Sequence, residues 1–333
     1  MNPDHPKNTV RERIDIQSHI LSPDFLEYLE TRKDPPHVIK KDGARMLIVN
    51  GWVRPVLPKM IDLSVKLADM DRMGITMAAL SMSDPGPELF GPEAAMVARM
   101  NNEHLSSLAE AHPKRFFGLA SLPYGSKDEM LKEMDHALSR PGIKGILLFS
   151  NINGKFPDEE PMRSLFAEAE RRGTPVVLHP ARPVTYELLK DYDMAASLGM
   201  MFDTSIALCR MILTGVLEEH PNLKLVCPHV GGVLPYLIGR LDYQVLALKR
   251  GGDRIKRAPH ESLKRVWFDT VTGIGLGIQY AKDFAGVDKL MFGSDHPWID
   301  PQYNIDALDS VALTEAERQQ IYSGNAKEFF GLQ

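Results

Sequence analysis

Eight short runs of apolar and β-branched residues, each followed by a longer stretch with helical spacing, constrain this 333-residue chain more than any other feature. The runs are RIDIQSH from Arg13, TMAALSM from Thr76, FFGLASLP from Phe116, IKGILLFS from Ile143, PVVLHP from Pro175, LKLVCPHVGG from Leu223, VWFDTVT from Val266 and DKLMFGSD from Asp288. Most are continuously apolar, as strands buried on both faces of a parallel sheet are. Helical patterns fall at residues 61–73, 93–111, 127–138, 162–172, 204–219, 234–248 and 276–284, with a last one at 315–330. Pro161 opens one of them, where a missing N–H costs little, and Gly74 and Gly173 stand just past helix ends. Strands alternating with helices make an α/β fold, either a barrel or a doubly wound sheet. The even spacing and the polar residues described below favour a (β/α)₈ TIM barrel. The length suits one such barrel, so a single domain over 1–333 is expected, with a flexible tail at 1–11. Two stretches escape the repeat: a long insertion after strand one, at 22–58, and a basic loop at 250–262. Long insertions of this kind usually cover a barrel's active site.

The net charge is −5 and no basic stripe is present, so nucleic acid and anionic membranes are not expected partners. Two cysteines make no disulfide framework. The N-terminus MNPDHPKNTVRER has no apolar stretch of a secretory signal. No apolar run comes close to the ~20 residues of a membrane span. A cytoplasmic protein is expected.

The chemistry sits where the strands end. Strand one ends in Gln17-Ser18-His19, strand five in His179, strand six in His229 before Gly231-Gly232, and strand eight in Asp295-His296. A lone histidine is more often a satisfied polar residue than a ligand. Imidazoles and a carboxylate at the same end of four apolar strands are another matter. They supply the neutral nitrogens and anionic oxygen that a divalent metal needs. By strand alternation His296 points away from Asp295, so it stands behind the site at most. The remaining histidines, at 5, 37, 104, 112, 136, 220 and 260, are expected to be solvated. The Gly231-Gly232 pair belongs to no phosphate-binding pattern.

These segments together resemble a known family. DxQxH at strand one, LHP at strand five, PHVGG at strand six with Gly239-Arg240 downstream, FGSDHPW at strand eight and the terminal GNAKEFFGL are similar to the amidohydrolase-related family of 2-amino-3-carboxymuconate 6-semialdehyde decarboxylase. That family also contains γ-resorcylate and 5-carboxyvanillate decarboxylases. The resemblance implies a metal, zinc or manganese, held by His19, His179 and Asp295. It implies His229 as the group that holds or activates metal-bound water or substrate, with Asp295 as a proton carrier. Arg240, supplied by a neighbouring subunit of a homodimer, would engage a substrate carboxylate. Arg54 in NGWVRP occupies the place of a second such arginine, or is an exposed loop charge. Trp298 walls the pocket or merely packs. Gln17 departs from the family, which has His or Glu there. Its amide is a weak ligand, a substrate contact, or the mark of a lost metal. The implied reaction is non-oxidative decarboxylation of a hydroxylated aromatic or unsaturated carboxylic acid. The alternative is a hydrolase or hydratase acting on an ester, lactone or double bond. A non-catalytic scaffold ranks below both, since only one position of the set departs.

Overall fold

The computed structural model describes residues 11–333; the expected tail lies, but for Arg11, outside the described residues. In chain order the strands are β1 (Arg13–His19), β2 (His37–Lys41), β3 (Ala44–Val49), β4 (Trp52–Pro55), β5 (Ile75–Ser81), β6 (Phe116–Ala120), β7 (Ile143–Phe149), β8 (Val176–His179), β9 (Leu225–Cys227), β10 (Trp267–Asp269) and β11 (Leu290–Met291). Eight of them form one parallel sheet in the order β1-β5-β6-β7-β8-β9-β10-β11. The segment after β11 brings the sheet nearly to closure on β1. Ile16 N–H donates to Phe292 O (3.0 Å), Asp295 N–H to Gln17 O (2.9 Å) and His19 N–H to His296 O (2.7 Å). Each of the eight expected strands is present, and the barrel rather than the doubly wound sheet is the fold.

The barrel interior and the inner faces of its helices form one apolar core, with Ile16, Leu80, Phe116, Phe117, Phe268 and Phe292 almost fully buried. Each such side chain contributes about 1.5–3 kcal/mol of burial free energy. Strand register delivers the site. His19 lies opposite Ser81 in the β1–β5 ladder, and Phe149 lies opposite His179 in the β7–β8 ladder.

The insertion at 22–58 is not an open loop. It folds into the helix Pro23–Thr31, whose Ser22 cap accepts the Phe25 N–H, and an antiparallel meander β2–β3–β4. Its turns carry Asp42-Gly43 and Asn50-Gly51, all four with positive φ. Such pairs are a strong hairpin signal. Phe25, Leu29, Val38, Leu47 and Val49 give this unit a small core of its own. The stretch 250–262 likewise leads into a short helix, Pro259–Leu263, and a further helix, Pro301–Asp309, intervenes before the C-terminal ones. The expectation about apolar runs also needs correction. The helical stretch Asp191–Leu213 is long and apolar enough to span a membrane by length and composition. It is built of joined segments, and its helix Met200–Leu213 buries Asp203, Thr204, Ala207, Leu208 and Met211 in the protein.

Candidate metal centre and reaction cavity

His19, His179 and Asp295 converge at the C-terminal mouth of the barrel, each offering one ligand atom within 4.8 Å of the others. His179 Nδ1 donates to Pro180 O at 2.8 Å, which leaves its Nε2 as a lone pair. That Nε2 lies 3.1 Å from His19 Nε2, and His19 Nε2 lies 3.2 Å from Asp295 Oδ1. The other face of His19 is fixed by Ser81 Oγ, 3.0 Å from Nδ1. Burial, and next the charge of His19, push the His179 imidazole well below its ordinary range, so it is neutral as a ligand must be. Burial alone would raise Asp295. Hydrogen bonds and charge from His19 and His229 outweigh it and hold this carboxyl well below the usual carboxylate range. Converging ring nitrogens with an ionised carboxylate fit a divalent cation, which relieves the close approach of the two imidazoles.

His229 stands beside this cluster, its Nε2 3.7 Å from Asp295 Oδ2. Its pKa is raised: burial opposes this, but Asp295 and then Asp269 more than compensate. Gln17 lies between them. Its amide nitrogen, not its oxygen, faces Asp295 Oδ1 (3.3 Å) and His229 Nε2 (3.4 Å), and its Oε1 has no partner among the described residues. Rotation about Cγ–Cδ would exchange the two atoms. His229, Val230 and Asp295 all have left-handed backbone, with φ of 54°, 57° and 57°. A valine there is strained, and such strain gathers at functional sites.

The cluster opens on a cavity of about 340 Å³ whose walls include Trp52, Arg54, Asp84, His229, Asp295 and Trp298. Arg54 is not a loop charge. It lies on β4, buried, paired with Asp84 and stacked 4.2 Å from the Trp52 ring and 5.2 Å from the Trp298 ring. Trp298 is a wall residue and also packs on the small core of the insertion. Arg240 is not brought to this cavity. It is exposed on the helix Leu234–Asp242, in a separate groove with Phe202, Ile206, Leu237 and Leu241.

Several buried groups had no reading in the sequence. Lys66 donates to Ser18 Oγ (2.9 Å) and meets His296 Nδ1 (2.8 Å), while His296 Nε2 meets Asp69 Oδ2 (3.1 Å). His296 therefore does point away from the cavity. Asp15, two residues before Gln17, takes the N–H (2.9 Å) and Oγ–H (2.5 Å) of Ser294. Asp269 accepts N–H bonds from Val230 (3.4 Å) and Val271 (3.0 Å), bracing the turn that carries His229; burial pushes its carboxyl up to about 7. Of the histidines expected in solvent, His136, His220 and His260 pair with Glu103, Glu170 and Asp242.

Fold and cluster together define a (β/α)₈-barrel enzyme whose strand ends gather a cluster able to hold a metal. The chain belongs to the amidohydrolase family, whose profile matches residues 34–332. It is 27% identical to a 2-amino-3-carboxymuconate-6-semialdehyde decarboxylase of Dictyostelium discoideum, over 96% of this chain and 92% of that one. It is 26% identical to a 6-methylsalicylic acid decarboxylase of Penicillium expansum, over 96% of each. Among solved structures, the apo form of IDCase from Metarhizium anisopliae superposes with a TM-score of 0.88 at 25% identity, covering 96% of this chain and 97% of that one.

Proposed function

We propose that this protein is a metal-dependent, non-oxidative decarboxylase of a hydroxylated aromatic carboxylic acid. The observation that carries the reading is the convergence of His19, His179 and Asp295 beside a cavity lined by two tryptophans. Decarboxylases of such acids among its relatives support it. His19, His179 and Asp295 would hold zinc or manganese, with Gln17 as an additional neutral ligand when its oxygen is turned inward. When bound, the ion supplies Lewis-acid stabilisation of the charge that develops as the carboxylate leaves. Trp52 and Trp298 wall the space for the ring. As the ring–carboxylate bond breaks, its electrons pass to the ring carbon, and that carbon takes up a proton. Asp295 is held ionised, so the proton is assigned to His229, whose protonated form the hydrogen bond and charge of Asp295 favour against burial. Asp295 then serves to hold His229 and to favour its protonated form rather than as the resting acid.

The groove around Arg240 suits the expected homodimer. Phe202, Ile206 and Leu237, which line it, are exposed, and a second copy would cover them. A role for Arg240 with substrate would run through that contact.

The test is carbon dioxide release from a panel of hydroxybenzoates by protein loaded with zinc or manganese, with a His179→Ala control. Release that depends on His179 supports the reading. Consumption of an ester or lactone with water added and no carbon dioxide released would replace it with the hydrolase reading.

A further inference from the structure

Arg54 does not enter the cavity as a free cation. Its Nη2 donates to the Asp84 carboxylate and, at 3.3 Å, to the Asp84 carbonyl. Both side chains are withdrawn from solvent, at 11% and 3% exposure, and both line the cavity. A charge pair so close and so buried is neutral at a distance. Among the described residues lining the cavity, Arg54 is the one arginine or lysine, so the end of the cavity built by β4 and the loop after β5 carries no net positive charge. Glu88, in the same loop, is buried 93% and its carboxyl is pushed up to about 8, by burial first and with the charge of Asp84 adding. Hydrogen-bonding capacity remains: Asp84 Oδ1 and Arg54 Nε have no partner among the described residues. A carboxylate oxygen left over in this way suits a neutral O–H donor.

We infer that Asp84 determines the specificity of this cavity: paired with Arg54, it selects an aromatic monocarboxylic acid bearing a phenolic hydroxyl on the edge remote from the reacting carboxylate, and excludes a second carboxylate there. The hydroxyl donates to Asp84 Oδ1 after a rotation of that carboxylate. A second carboxylate would have to displace Asp84 from Arg54 or sit beside it, and like charges brought together out of water repel. The inference rests on the decarboxylase reading and narrows it, setting aside the unsaturated dicarboxylates.

Binding, separated from turnover, tests it. Quenching of tryptophan fluorescence is titrated in the metal-loaded protein with 2,4-dihydroxybenzoate and with 2-hydroxyterephthalate, which differ by one hydroxyl exchanged for carboxylate. The wild type is expected to bind the dihydroxy acid at least about tenfold more tightly. Asp84→Asn, which keeps the shape and frees the Arg54 charge, is expected to move that ratio at least about tenfold toward the diacid. Asp84→Ala serves if the asparagine variant does not fold, and the wild-type ratio stands without either. A wild-type preference for the diacid, or a ratio unmoved by both variants, overturns the role of Asp84 while leaving the decarboxylase reading intact. Failure of both acids to bind overturns the aromatic-acid reading, and the inference falls with it.

Discussion

His19 Nε2 and His179 Nε2 face each other at 3.1 Å although 160 residues separate them in the chain. Two imidazole nitrogens so close need a shared partner, and Asp295 Oδ1 completes the set. His179→Ala is expected to lower affinity for zinc or manganese by more than about 100-fold, since a ligand matters more than the outer contacts whose loss costs about 10–100-fold. Elemental analysis of protein purified without chelator, beside this variant, checks it. Metal at about 100 times its Kd should also stabilise the wild type by about 2.7 kcal/mol, and the variant hardly at all.

Lys66 joins the two strand ends that carry the metal ligands, through Ser18 beside His19 and His296 beside Asp295. Burial depresses its ammonium pKa, and the charges of Asp15 and Asp69 oppose that. Lys66→Met keeps the bulk but removes both contacts and leaves the buried Asp15 and the half-buried Asp69 less compensated. The expected cost is about 2–4 kcal/mol in urea unfolding of the metal-free protein. Metal affinity should fall about 10–100-fold as the ligands lose their bracing. Unchanged metal affinity would make Lys66 a purely structural residue.

The barrel was legible because buried parallel strands write themselves as continuous apolar runs, and the ligands because nothing in strand propensity places histidine at their ends. The insertion at 22–58 falls outside the strand–helix repeat, although Asp42-Gly43 and Asn50-Gly51 mark its hairpins. The charges of HVIKK in β2 hide an edge strand whose Val38 joins the small core of the insertion. Lys66 and Asp84 were illegible for another reason. A lysine on a helix and an aspartate before a proline look solvated in sequence, and only the packing of distant segments buries them. Arg240 was found by motif, and its distance from the cavity is a matter of tertiary path that the motif does not encode.

Glu88 gives the stability a pH dependence of definite sign. Its folded pKa, about 8, lies above the usual value of 4.5. The carboxyl is neutral in both states at low pH and costs nothing there. Between pH 4.5 and 8 the unfolded chain ionises while the folded one stays protonated, so stability falls as pH rises. Glu88→Gln is expected to match the wild type near pH 4 and to exceed it by about 2–4 kcal/mol at pH 8. Urea denaturation at the two values checks this; equal stability at both would show that Glu88 is ionised in the fold.

The exposed groove around Arg240 predicts an association that a single charge should break. Leu237 lies in that groove, 39% exposed. Leu237→Asp is expected to convert a dimer to a monomer in light scattering coupled to gel filtration, with the fold intact by circular dichroism. A wild type that is monomeric at tens of micromolar would remove this face from consideration.

Gln17 stands between Asp295 and His229, and its geometry says what a carboxylate there would do. The amide nitrogen now donates toward Asp295 Oδ1 at 3.3 Å. Gln17→Glu keeps the size and replaces that donor with a second anion against the first. Like charges at this distance inside a buried site raise each other's cost until a cation joins them. The metal-free variant is therefore expected to be less stable than wild type by about 1–3 kcal/mol. The metal-bound variant should recover that loss, because the added anionic oxygen supplies what the neutral amide does not. Zinc or manganese affinity should rise at least about tenfold, which is the same energy read from the other end of the cycle. Thermal unfolding with and without metal, together with a competition titration against a chelator, measures both sides. A variant destabilised equally in both states would mean that position 17 does not reach the ion, and that His19, His179 and Asp295 hold it without help from that position.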